Sequence, residues 1–74
     1  MITVYGKDGC RFCNNTVQAL KTFGIEFKYL KLEDDYSKED FLKVVPEGHN
    51  TFPAIFDGED FIGGFSEFKS YKFS

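Results

Sequence analysis

Cys10-Arg11-Phe12-Cys13 holds every thiol in the chain and stands where a strand pattern gives way to a helical one. Ile2-Thr3-Val4-Tyr5 is rich in β-branched residues and bounded by Gly6, as suits an inner strand. Beyond the loop Gly6-Lys7-Asp8-Gly9, the residues Cys13, Thr16, Val17 and Leu20 recur at i, i+3, i+4 and i+7, one face of a helix. The spacing predicts a helix from Cys10 or Arg11 to Phe23, closed by Gly24 in the position that favours a left-handed residue. Cys10 then falls at the first turn, where backbone N–H groups have no intrahelical partner, and Cys13 points into the buried stripe. One thiol is presented and the other is tucked beneath it. A pair so spaced can close a disulfide ring, hold half of a metal site, or sit as inert core thiols.

Ile25, Phe27 and Tyr29 alternate with Glu26 and Lys28, so a second strand follows, ending or bulging where the phase slips at Leu30-Lys31-Leu32. Strand, helix and strand within about thirty residues predict a right-handed βαβ unit with parallel strands. Glu33-Asp34-Asp35 reads as a solvated acidic connection before it reads as a cation site. Ser37 with Asp40 marks a second helix, with Phe41, Val44 and Val45 as its apolar face and Pro46 as its end. Glu47-Gly48-His49-Asn50 is loop, and nothing in the sequence marks His49, the only histidine, as a catalytic base. Phe52-Pro53-Ala54-Ile55-Phe56 and Phe61-Ile62-Gly63 then form a hairpin about the turn Asp57-Gly58-Glu59-Asp60. Ser66 is expected to cap a last short helix with Phe68 and Tyr71 inside. The order is β-α-β-α-β-β-α.

A chain of 74 residues makes one domain, 1–74, and hides only about 60% of its extended surface, so it needs a dense core. Ten Phe and four Tyr provide one, and they exceed what so small a core encloses. The surplus at Phe12, Phe52 and Phe65 is expected to gather around the presented sulfur as an apolar rim. A net charge of −3, with Arg11 the only arginine, argues against nucleic acid as a partner. No apolar run has the length of a membrane span, and Met1-Ile2-Thr3 leads into a strand without a signal pattern. The cytoplasm is the expected location, and there a lone CxxC is catalytic or metal-binding more often than a structural staple. A structural zinc site takes four ligands, and two Cys with one distant His fall short of that.

Three separated stretches resemble the glutaredoxins: Cys10-Arg11-Phe12-Cys13, Thr51-Phe52-Pro53 and Gly63-Gly64. They lie in the family's order along essentially the whole chain. Ile62-Gly63-Gly64-Phe65 before a short helix is most like the compact dithiol glutaredoxins of bacteriophages. The resemblance implies an α/β thioredoxin-like three-layer fold, a four-stranded mixed sheet with three helices. It places the first strand inside, the hairpin antiparallel to it, and a cis bond before Pro53.

The same resemblance implies a thiol-disulfide oxidoreductase that reduces protein disulfides or glutathione mixed disulfides. Cys10 is then the nucleophile, favoured as a thiolate by the helix terminus, Lys7 and Arg11 and opposed by Asp8. Cys13 resolves the mixed disulfide, giving a redox-active Cys10–Cys13 bond that glutathione reopens, with no bound cofactor. Phe12 is a wall beside the sulfur, and the Phe52 backbone before Pro53 pairs with the substrate. Gly63 and Gly64 admit the glutathione backbone, and the N–H groups of Phe65 and Ser66 take one of its carboxylates. Lys7 either holds the other carboxylate or faces solvent.

Ribonucleotide reductase is the protein client the resemblance suggests, and a monomer is expected. Arg11-Phe12 departs from the Pro-Tyr usual in the family, and Phe65-Ser66 precedes the first acid, Glu67. That departure keeps open a redoxin recycled by thioredoxin reductase. A metal or iron–sulfur binding module is the more distant alternative.

Overall fold

The protein is described by a computed structural model over residues 1–49 and 51–71; Asn50, expected in the loop before the third strand, lies outside them. Strand β1 (Ile2–Gly6) runs inside a four-stranded sheet with β2 (Phe27–Lys31) on one side and β3 (Ala54–Asp57) and β4 (Asp60–Gly63) on the other. β1 pairs with β2 in parallel, Ile2 opposite Phe27 through Gly6 opposite Lys31. β3 is antiparallel to β1 and β4 to β3, giving the mixed sheet that the resemblance implied. Between β1 and β2 crosses helix α1 (Arg11–Thr22). Its end is well specified: Gly24 takes φ +68°, its N–H donates to the Lys21 carbonyl and the Ile25 N–H to the Leu20 carbonyl.

Alternation along the strands splits the core into two layers. Ile2 and Val4 of β1 and Ile55 of β3 face α1 and α3 (Phe65–Ser70), where Leu20 and Phe68 close over them. Ala54 faces the other way, toward Phe41 and Val45, with Tyr5, Tyr36, Phe52, Phe56 and Phe61 packed around. This second layer is almost wholly aromatic, with Tyr5 edge-on to Tyr36 and to Phe56 at centroid distances of 5.1 and 5.6 Å. No helix among the described residues is long and apolar enough to cross a membrane.

Several local expectations are corrected. Helix α2 (Lys38–Val44) is capped by Ser37, whose Oγ accepts from the Asp40 N–H at 3.2 Å, but Val44 is 45% exposed. With only two turns of helix, the inward stripe is Phe41 and Val45, and Val45 has already left helical geometry. Ser66 is no cap: α3 begins two residues earlier than expected, with Gly64 at its N-cap and Ser66 exposed in the first turn. The cap is supplied by Glu67, whose Oε1 accepts from the Gly64 N–H at 2.8 Å. Phe23, 70% exposed at the end of α1, shows that the surplus aromatics do not all collect at the thiols.

The acidic connection folds onto Lys31. The Asp35 Oδ2 accepts from the Lys31 N–H at 2.8 Å, while Asp34 and Asp8 pair with the Lys31 Nζ at 3.2 and 3.0 Å. In the β3–β4 hairpin, Gly58 takes φ +62° in a two-residue turn. A register shift between Ile55 and Phe56 then leaves Ile62 as the extra residue of a bulge, so that Gly63 arrives opposite Ile55.

Candidate active site

Cys10 is the N-cap of α1, in extended geometry, and its Sγ accepts from the Cys13 N–H at 3.2 Å. A thiol here does what a Ser or Asp side chain does at other helix starts: it satisfies a donor that the helix cannot. The Cys13 thiol lies one turn deeper with no exposed surface, and Cys10 keeps 9% of its own. Cys10 is therefore presented through a narrower opening than the sequence suggests. Both cysteines are free thiols. Burial, reinforced by the Cys10 thiol beside it, pushes Cys13 up to about 12. The pair is asymmetric in access and in the stability of the buried thiol.

Beside the helix start lies a groove of about 510 Å³ lined by Phe12, His49, Phe52, Pro53, Phe65 and Glu67, among others. The Phe52–Pro53 bond is cis, as the resemblance implied. Gly64 sits against that loop closely enough that a Cβ on it would lie 3.6 Å from the Pro53 carbonyl oxygen. Hence residues far apart in sequence share one wall. Gly63 takes φ +129°, and a Cβ there would drive into the Glu67 side chain, so both its backbone and its surroundings require glycine. Phe12, 54% exposed, stacks on Phe65 at 5.8 Å and closes the groove between α1 and α3. Thr51, Gly64 and Ser66 complete the lining.

A glutaredoxin family model matches residues 2–62, which includes the CxxC motif, the cis-proline loop and all of the hairpin but its last residue, Gly63. The chain belongs to the glutaredoxin family. Glutaredoxins are thiol-disulfide oxidoreductases, and the two thiols above are the groups here that can perform such exchange. The chain is 31% identical over 75 residues to a Haemophilus influenzae glutaredoxin, covering 93% of this chain and 86% of that one. A Vernicia fordii glutaredoxin is 31% identical over 65 residues, covering 85% of this chain, which spans 62% of that longer relative. Among solved structures, glutaredoxin 1 from Francisella tularensis, complexed with cacodylate, superposes with a TM-score of 0.77 at 27% identity, covering 93% of this chain and 87% of that one. A buckwheat glutaredoxin-glutathione complex shares the fold, with a TM-score of 0.79 at 20% identity, covering 93% of this chain and 64% of that one.

Not every residue singled out in this glutaredoxin reaches the groove. Lys7 turns its Nζ over the Phe52 ring, 5.3 Å from the centroid, and Phe52 stacks on Phe41 at 4.6 Å on its way into the core. Phe52 is thus held from both sides. Arg11, the first helical residue, is exposed and is not part of the lining.

Two groove residues were passed over in the sequence. Glu67 is noted there only as the first acid after Gly63-Gly64, with no role, and the structure brings it to the groove through its return to Gly64. His49 packs edge-on to Phe61 at 4.9 Å, and its Nε2 is buried without a hydrogen-bond partner among the described residues. The loop position of His49 carried no signal of that packing. Among the described residues, no three His, Cys, Asp or Glu side chains gather as a metal site.

Proposed function

We propose that this glutaredoxin works as a dithiol, glutathione-linked reductant of protein disulfides and glutathione mixed disulfides. The observation that carries the reading is the division between Cys10, at the helix start with its sulfur on the Cys13 N–H, and Cys13, wholly buried behind it. Of the two thiols only Cys10 keeps an opening to solvent, so Cys10 is the attacking group. Its thiolate displaces one sulfur of the client disulfide, which leaves as a thiolate, and the other sulfur stays on Cys10. Cys13 then attacks Cys10, releases the second client thiol and closes the Cys10–Cys13 disulfide. Two electrons pass from the protein to the client. Glutathione returns them through a mixed disulfide at Cys10.

The groove supplies the means of holding that tripeptide. An extended ligand pairs with the backbone at Phe52, before the cis-proline, as an added short strand. Gly63 and Gly64 leave room for its backbone, and the N–H groups of Phe65 and Ser66 receive a carboxylate. Lys7 and Arg11 add positive charge on the side of Cys10. Glu67 offers the carboxylate that the two residues after Gly64 lack, facing the ammonium end of the ligand. That acid favours glutathione over thioredoxin reductase as the source of electrons. The fold shared with a protein solved as a glutathione complex supports the same choice.

Ribonucleotide reductase is the protein client to test first, with action in the cytoplasm, as a monomer and in the manner of the phage proteins. The deciding assay offers the oxidised protein each reductant separately, glutathione with its reductase or thioredoxin reductase, and follows NADPH oxidation. Sustained turnover with glutathione alone is expected. Turnover only with thioredoxin reductase would overturn the glutathione assignment while leaving the dithiol chemistry intact.

A further inference from the structure

Run two residues past the pair Tyr5 and Ala54, the β1–β3 register sets Lys7 opposite Phe52, on the face of the sheet that carries the aromatic layer. The side chains meet there. The Lys7 Nζ lies 5.3 Å from the centroid of the Phe52 ring, within cation–π range. The same ring stacks on Phe41 of α2 at 4.6 Å, with the two planes 26° apart. Lys7 has no ion pair among the described residues, and the acid beside it, Asp8, is engaged with the Lys31 Nζ at 3.0 Å. Phe52 lines the substrate groove, whereas Lys7 does not.

The Phe52 backbone is the edge that an extended ligand pairs with in the reading above, and the fold leaves it open. Among the described residues, neither its N–H nor its carbonyl is hydrogen-bonded to another backbone group, and β3 begins only at Ala54. No ladder bond therefore fixes the groups that must meet the ligand. Their position is set through the side chain, and that side chain is gripped by Lys7 and Phe41.

We propose that Lys7 is a positioning residue for the ligand. Its ammonium holds the Phe52 ring and, through it, the backbone edge, without gripping a ligand carboxylate itself. The inference rests on the glutathione reading above. Lys7 also stands three residues before Cys10, in the loop that leads from β1 into α1. The contact thus ties the loop that enters the nucleophile to the loop that receives the ligand, two stretches more than forty residues apart in the chain.

S-methylglutathione, whose thioether cannot exchange, and the same ligand with its glycine carboxylate capped as an amide report binding without chemistry, by NMR titration. Lys7→Met keeps an unbranched side chain and removes the charge. It should weaken both ligands alike, by about twofold to fivefold, the worth of a cation–π contact at an exposed site. In Phe52→Leu, which has no ring to hold, adding Lys7→Met should cost no further affinity. The Lys7 ε-methylene protons, shifted by the ring in the parent protein, should return to ordinary positions in Phe52→Leu. A loss confined to the ligand with the free glycine carboxylate would overturn the proposal, because Lys7 would then grip that group directly. Unchanged affinity in Lys7→Met, or an undiminished loss in the Phe52→Leu background, would overturn it as well. The amide comparison decides alone if Phe52→Leu fails to fold. Absence of binding by the parent protein would bring down the glutathione reading, and this inference with it.

Discussion

The Cys13 amide donates to the Cys10 sulfur at 3.2 Å, so one thiol of the motif caps the helix that buries the other. Two residues of identical chemistry are thereby given opposite surroundings by their places on a single turn. Iodoacetamide at neutral pH should label Cys10 and leave Cys13 unmodified in the folded, reduced protein. Mass mapping of the alkylated peptide checks this, and equal labelling of both thiols would sink the division of labour.

The same division predicts how the serine variants differ. Cys10→Ser should abolish all thiol exchange. Cys13→Ser should still remove glutathione from a mixed disulfide, because that route needs Cys10 alone, but should lose dithiol reduction of a protein disulfide. Loss of both activities in Cys13→Ser would contradict it.

The adjacent glycines respond differently to a methyl group. Gly63→Ala meets the Glu67 side chain and a backbone at φ +129°, so a loss of about 2 kcal/mol or more is expected. At Gly64, where φ is −90° and the nearest contacts are at 3.6 Å, Gly64→Ala should change stability by less than about 1 kcal/mol. Denaturant melts of the two variants distinguish these outcomes.

Glu67 carries a cap and a charge, and the two can be separated. Glu67→Gln retains an oxygen for the Gly64 N–H, so its melting temperature should hold while the KM for a glutathione mixed disulfide rises several-fold at unchanged kcat. Glu67→Ala should lose about 1 kcal/mol of stability as well, the usual cost of an N-terminal cap. An unchanged KM in Glu67→Gln would remove the carboxylate from the ligand site.

Stability should decline in alkali. In the unfolded chain Cys13 ionises at its ordinary 9.0 and Tyr29 at 10.0, whereas folding holds both protons until about 12. Between these values the unfolded chain binds fewer protons than the folded one, so stability falls as pH rises. The contribution is complete below pH 9 and gone above about pH 12. Thermal melts of the reduced protein across this window should fall more steeply than those of Cys13→Ala, and parallel slopes would contradict the assignment.

Helix α1 was fully legible in the sequence because its signals are local: an apolar stripe of period 3.6, a polarisable N-cap and a glycine at the close. The hairpin was legible for the same reason, through two short apolar runs on either side of a turn that holds Gly58. At α3 the nearest serine misled, because the cap came from a side chain three residues into the helix reaching back to Gly64. Val44 misled because a two-turn helix offers too few residues for periodicity to settle its inner face. Phe12 was expected at the surface from its place on the helix, and Phe23 was not singled out, although it is the more exposed of the two.

What the sequence by itself determined is the order of elements, the paired thiols at the start of the first helix, and the family to which both point. Covalent order and local spacing suffice for that. Only the tertiary structure decided which groups meet: Glu67 with Gly64, Phe12 with Phe65, Lys7 with Phe52, and the Tyr29 ring with a glycine that leaves it room, Gly6. Each of these contacts depends on the direction a side chain takes once strands pair and helices settle. Sheet register and the bulge before Gly63 set those directions, and neither is carried by any single stretch of residues.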